Sequence, residues 1–194
     1  MGSTGELKRL EGRTVERLGE GAVFGEGPVG AHLAIVGEAP GREEAERRRP
    51  FVGRAGRLLD ELLEEAGIDR SGVYVTNVVK VRPTKERGGR LSNRPPRAAE
   101  IREGLEILEE ELGIVGPRVL VLLGGVPAKA LLGGSFTLSR GRGRFFDSNL
   151  GLPAIATYHP AYLLRLRGRG DYEGLREQVV SDLAAARRRA DGSC

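Results

Sequence analysis

Four short stretches of this chain carry side chains suited to work on a flat polar ring. Gly37-Glu38-Ala39-Pro40-Gly41 places a carboxylate in a turn whose glycines let main-chain N–H groups approach a ligand. Asn77 stands among Val73, Val75, Val78 and Val79. An amide is disfavoured in such a strand, and when buried it must satisfy both a donor and an acceptor. His159-Pro160 sets one of only two histidines at the end of an apolar run. Phe51, between Pro50 and Val52-Gly53, is either an anchor for its loop or a stacking platform for a planar ligand. An amide beside an imidazole, a carboxylate and an aromatic face is the equipment for gripping a base edge and doing acid–base chemistry next to it. Each also has a plain structural role: most of the 27 acids, Glu44 in Arg42–Arg47 included, are solvated charges. His32, at a strand start, is read as a surface group or one satisfied within the fold.

The elements that must position these groups follow from periodicity. Ala31–Val36, Val73–Val81, Arg118–Leu123 and Pro153–Tyr158 are short apolar or β-branched runs and read as buried strands. Leu58, Leu59, Leu62, Leu63 and Ala66 fall at helical spacing and Gly67 stops them. Further helices are expected at about 97–112, from Pro127 to Leu132, and at about 171–189, where Arg187-Arg188-Arg189 complement the negative helix end. Residues 84–96 read as a basic loop, 139–144 as an exposed loop or hairpin arm, and 1–30 as an arm preceding a single domain over 31–190. Strands alternating with helices predict an α/β fold, three-layered, with a central four-stranded mostly parallel sheet. Ligands of such sheets bind beyond the carboxyl ends of the strands, where Glu38, Asn77 and His159 all fall.

Length and composition narrow the field. A chain of 194 residues, 39% hydrophobic and 30% charged, builds one domain with its own core. No apolar run reaches membrane-spanning length and no signal-peptide pattern is present, so a soluble, cytoplasmic chain without a membrane partner is expected. The single cysteine, Cys194, excludes an internal disulfide and a zinc knuckle. Of 31 basic residues, 27 are arginines, and the net charge is +4, which permits a nucleic-acid partner without requiring one.

Taken together, five stretches resemble the uracil-DNA glycosylase superfamily, and most closely its thermostable (family 4) branch. They are Gly37–Gly41 with Glu44; Arg49–Gly56; Thr76–Lys80 with Arg82-Pro83; Asn93–Pro96; and His159–Arg165. They keep the family's order over about residues 31–185.

The resemblance implies a DNA-repair hydrolase that flips uracil out of DNA and cleaves its N-glycosidic bond, leaving an abasic site. Phe51 would stack on the base, Asn77 would read its edge, and His159 would donate to O2. Gly37, Ala39 and Asn93 would line the pocket. Family members that use an aspartate to activate water carry it where Ala39 stands. That work is therefore assigned to Glu44, with Glu38 as a second acid of the pocket wall. Leu163 would fill the gap left by the flipped base. Lys80, Arg140, Arg142, Arg144 and Arg165 would contact DNA.

Family 4 members usually hold a four-iron, four-sulfur cluster on four cysteines: two near the N-terminus, one at the position of Val81 and one on the following helix. None is present here, so no cluster is expected. The 84–92 loop lacks the histidine with which a related branch traps the sugar. The only lysine of the matched pocket, Lys80, stands where a structural role or a phosphate contact is implied, so no abasic-site lyase step is expected. A monofunctional, monomeric enzyme acting on uracil-containing DNA is expected. Alternatives are a glycosylase with shifted base choice (hypoxanthine or xanthine), a non-catalytic DNA-binding member of the fold, and a metal hydrolase built on Glu38, Glu43 and Glu44.

Overall fold

The computed structural model describes residues 2–168 and 170–192; Cys194 lies outside them. Five strands form the main sheet: β1 (Leu33–Gly37), β2 (Tyr74–Asn77), β5 (Val119–Leu123), β6 (Phe145–Asp147) and β7 (Pro153–Thr157), in the order β2-β1-β5-β7-β6. The pairings β2–β1, β1–β5 and β5–β7 are parallel, and β6 pairs antiparallel with β7. The four expected strands are therefore all present and parallel. The fifth, β6, was not expected, because two phenylalanines among arginines and glycines carry no period.

The alternation along the parallel strands sorts the core into two layers. Leu33, Ile35, Val121, Leu123 and Ile155 face one side, where they meet α3 (Arg54–Glu65), α7 (Pro160–Leu166) and α8 (Tyr172–Ala190). Ala34, Val36, Leu120, Leu122 and Ala156 face the other, against α4 (Ala98–Val115) and α5 (Gly125–Leu132). Helix α3 offers Leu58, Leu59, Leu62 and Leu63 to the first layer, all at 3% exposure or less. Burying each such side chain contributes roughly 1.5–3 kcal/mol.

Four expectations change. The N-terminal arm contains a helix, α1 (Thr4–Leu18), opened by a capping box between Ser3 and Glu6. Only a narrow stripe of α1 is apolar. Arg13 pairs with Glu110, and Arg17 with Glu103 and Glu106, across to α4, while Leu10, Phe24 and Ile107 form a small cluster below. The second strand ends at Asn77 rather than Val81, because β1 ends opposite it at Gly37 and the chain then folds over the Gly37 and Glu38 carbonyls. Residues 84–93 are a hairpin, β3 (Thr84–Arg87) with β4 (Arg90–Asn93), instead of an open loop. Gly88 and Gly89, with φ of 58° and 73°, make its two-residue turn.

The stretch 139–144 is likewise no free arm: its first half belongs to the short helix α6 (Leu138–Gly141) and its second half leads into β6. The remaining short helix, α2 (Arg42–Arg47), follows the first turn of the sheet.

Candidate active site

A cavity of about 390 Å³ opens at the carboxyl ends of the strands, lined by Glu38, Ala39, Glu44, Phe51, Asn77, Asn93, His159 and Arg165 among others. The turn after β1, the end of β2 and the turn after β7 deliver Glu38, Asn77 and His159 to it, as the strand order requires.

His159 caps the N-terminus of α7: its Nδ1 accepts from the Ala161 N–H at 3.0 Å. With Nδ1 an acceptor, the neutral ring carries its proton on Nε2, the nitrogen left free to donate. Burial, with Arg165 nearby, depresses its pKa to about 4, so the ring is neutral at pH 7. Phe51 lies roughly parallel to it, ring centroids 6.2 Å apart and planes 27° apart.

Phe51 is buried and holds a φ of 53°, and Arg48 in the same loop has 52°. Such backbone persists only where its surroundings fix it. Here Glu44 does much of the fixing. Its two oxygens accept from Gly41 N at 3.1 Å and Gly53 N at 2.7 Å, tying the first turn to the Phe51 loop. Arg49 pairs with Glu26 and Arg48 with Glu20, fastening the loop to the N-terminal segment. Gly37 explains the closeness of the other groups: a Cβ there would collide with Asn77 Oδ1 and the edge of the Phe51 ring.

Asn77 is 4% exposed, and no hydrogen bond among the described residues engages its side-chain amide. Its donors and acceptor are left to the cavity. Its backbone carbonyl is held from behind by Lys80 Nζ at 2.9 Å. Lys80 also reaches Thr76 Oγ1 at 2.7 Å and Glu111 Oε2 at 2.5 Å. Glu111 in turn accepts from Thr76, from the Tyr74 hydroxyl and from Gly25 N. The Glu38 carboxyl is half-buried and bound to no side chain among the described residues. Desolvation raises its pKa above the ordinary carboxylate value, against the pull of Arg165.

Several assignments change on this geometry. Glu44 is buried with both oxygens engaged, so it is a brace rather than a free water-holding group, and Glu38 is the carboxylate open to the cavity. Lys80 is 1% exposed and cannot touch DNA. Leu163 is fully buried in the core against α3 and cannot enter a base stack. Arg142 turns inward to Asp182 Oδ2 at 2.7 Å, beside Thr157, so it anchors its turn to α8. Arg140, Arg144 and Arg165 remain exposed. Asn93 lines the cavity but its Oδ1 is taken by Arg82 Nε at 2.8 Å.

Sequence reading missed Glu111 and Asp182. Both are buried acids on otherwise amphipathic helices, where nothing local distinguishes them from wet-face charges.

Two chemistries fail on the residues. Glu43 faces Arg57 and Arg47 while Glu44 grips two N–H groups, so Glu38, Glu43 and Glu44 do not converge on an ion. A four-iron cluster needs four cysteine thiolates. The chain has one cysteine, position 81 is a valine bridged to Ala22, and α4 has no thiol. The residues do not fit that group.

The sequence matches the family model described as the uracil DNA glycosylase superfamily over residues 24–184. It is 40% identical to the type-4 uracil-DNA glycosylase of Thermotoga maritima, across 85% of this chain and 81% of that one. It is 37% identical to the type-4 enzyme of Pyrobaculum aerophilum, covering 84% of each. Against the type-5 uracil-DNA glycosylase of the same organism it is 30% identical over 87% of this chain and 75% of the relative. No helix among the described residues is long and apolar enough to cross a membrane. With a family match running from the N-terminal segment into the last helix, and with the sheet and its ligand edge in the order that the motifs imply, the chain belongs to the uracil DNA glycosylase superfamily.

Proposed function

We propose that this protein excises uracil from DNA by hydrolysing the N-glycosidic bond, as a single chain and without an iron–sulfur cluster. The observation that carries the reading is the convergence of Phe51, Asn77, His159 and Glu38 on one cavity. All of these groups come from this chain. The names of its type-4 relatives support the same activity.

The extruded uracil enters the cavity against the Phe51 ring. The Asn77 amide donates to O4 and accepts from N3–H. Cytosine presents the reverse pattern and leaves both groups unpaired, a mismatch that polar pockets convert into a discrimination of roughly 10⁴. As the bond to C1′ breaks, its electron pair goes to the base. The N–H at His159 Nε2 then meets the growing negative charge on O2. A neutral donor suffices there, and the bond from Ala161 keeps the ring in that tautomer.

Glu38 stabilises the cation-like sugar and holds the water that adds to C1′, taking its proton. Arg165 lies at the rim of the cavity, with Arg140 and Arg144 exposed elsewhere, and these three grip flanking phosphates.

The test is release of free uracil from a labelled uracil-containing oligonucleotide in the presence of EDTA, with hypoxanthine- and thymine-containing strands in parallel. EDTA-resistant release of uracil is expected. Release of hypoxanthine alone would move the protein to a shifted base choice, and no release would leave a non-catalytic DNA-binding member of the fold. Colourless protein without bound iron is expected; absorbance near 400 nm would overturn the cluster-free reading.

A further inference from the structure

Extruding a nucleotide from a duplex leaves a gap in the stack, and an apolar side chain that enters it offsets part of the unstacking cost. Leu163 is buried, so that side chain must come from elsewhere. Among the described residues three large apolar side chains are exposed: Val81 at 36%, Tyr162 at 38% and Leu91 at 58%. Val81 is bridged to Ala22 on the N-terminal segment. The Tyr162 ring packs on Tyr158, centroids 5.6 Å apart, with the Arg165 guanidinium 5.8 Å over it. Leu91 belongs to no apolar cluster among the described residues.

Its place on the hairpin gives it a direction. Leu91 and Asn93 are two residues apart on β4, so they share a face, about 7 Å apart along the strand. Asn93, with Pro83 and Arg94 at the hairpin base, lines the cavity. The ribbon is braced at that base. Arg94 donates from its backbone to Pro83 O, from Nε to Thr84 O, and from both terminal nitrogens to Glu100. Arg82 holds Asn93, and the tight Gly88-Gly89 turn closes the far end. The register puts Glu86 opposite Leu91 on the cavity-side face, and Lys85, Arg87 and Arg90 on the other. Three cations against one carboxylate suit a polyanion, and a two-stranded ribbon is of a width that a DNA groove admits.

We propose that the β3–β4 hairpin is a duplex-engaging arm, with Leu91 entering the base stack beside the extruded nucleotide. This rests on the glycosylase reading and adds to it a substrate form, double-stranded DNA. A single strand has no continuous stack to repair and gains nothing from Leu91.

The experiment compares single-turnover uracil excision from one oligonucleotide, free and annealed to its complement, by the full chain and by Leu91→Ala, Leu91→Met and Tyr162→Ala. Leu91→Ala is expected to slow duplex excision by about tenfold or more while leaving the single strand within about twofold, and Leu91→Met to retain duplex activity. Equal loss on both substrates, no loss on either, or a duplex-specific loss confined to Tyr162→Ala would overturn the proposal. Absence of excision by the unaltered protein from both substrates would instead sink the glycosylase reading itself.

Discussion

The Ala161 backbone N–H donates to Nδ1 of His159 at 3.0 Å, and that one bond fixes which face of the imidazole can act. A ring whose Nδ1 is an acceptor presents Nε2–H to the cavity. Burial keeps it neutral, with a pKa near 4. His159→Ala is expected to reduce the excision rate by about 10²–10³, the usual loss for one preorganised donor to a developing anion. The depressed pKa also has a stability consequence. The unfolded histidine takes up its proton near pH 6.5 while the folded one does not, so stability falls as pH drops from about 6.5 toward 4. Thermal unfolding of wild type and His159→Ala across that window should show the dependence in the former and its reduction in the latter.

Glu38 and Glu44 are six residues apart and do different work. Glu38→Gln is expected to lower the single-turnover rate by about 10²–10⁴ with little change in thermal stability. The wild-type acid limb should lie above the ordinary glutamate value, because the raised pKa of Glu38 means that the active carboxylate is lost early as pH falls. In Glu38→Gln the residual activity should persist to lower pH. An unchanged limb would remove Glu38 from the mechanism. Glu44→Gln, by contrast, weakens the tie between Gly41 and Gly53 and should lower the melting temperature.

Gly37→Ala tests the close approach at the pocket floor. The new methyl group must displace the Asn77 amide and the Phe51 ring, both side chains that can move, so the protein should fold. Displacements of about 1 Å in positioning groups cost on the order of 10²-fold in rate. A purified, folded variant with wild-type kcat/KM would show that neither group reads the base.

Lys80 and Glu111 form a buried pair with every donor and acceptor matched. Removing either partner alone should cost about 3–5 kcal/mol, because it leaves an uncompensated charge. Lys80→Met with Glu111→Leu should recover only part of that stability, because it removes both charges but leaves the Tyr74 hydroxyl, the Thr76 hydroxyl and the Gly25 N–H without their acceptor. The double variant also frees the Asn77 carbonyl. Its melting temperature and its uracil-to-cytosine selectivity, measured together, separate scaffold from positioning.

The parallel sheet and the convergence of Glu38, Asn77 and His159 were legible in the sequence because both follow from local rules. Apolar runs of strand length in β–α alternation allow few topologies, and those topologies put strand-end residues on one rim. Asn77 stands out in the sequence by its oddity, an amide among Val73, Val75, Val78 and Val79.

What the sequence could not settle were questions of partnership. Whether Glu44 is wet or gripped on both oxygens depends on the Phe51 loop folding back to bring in the Gly53 N–H from nine residues later, beside the local bond from Gly41. Whether Lys80 reaches DNA or Glu111, 31 residues away, depends on how α4 packs, and Leu163 points inward only because α7 lies across α3 and α8. Periodicity along the chain reports which face of an element is apolar. It does not report which other element covers a polar group, and that is decided when the layers close.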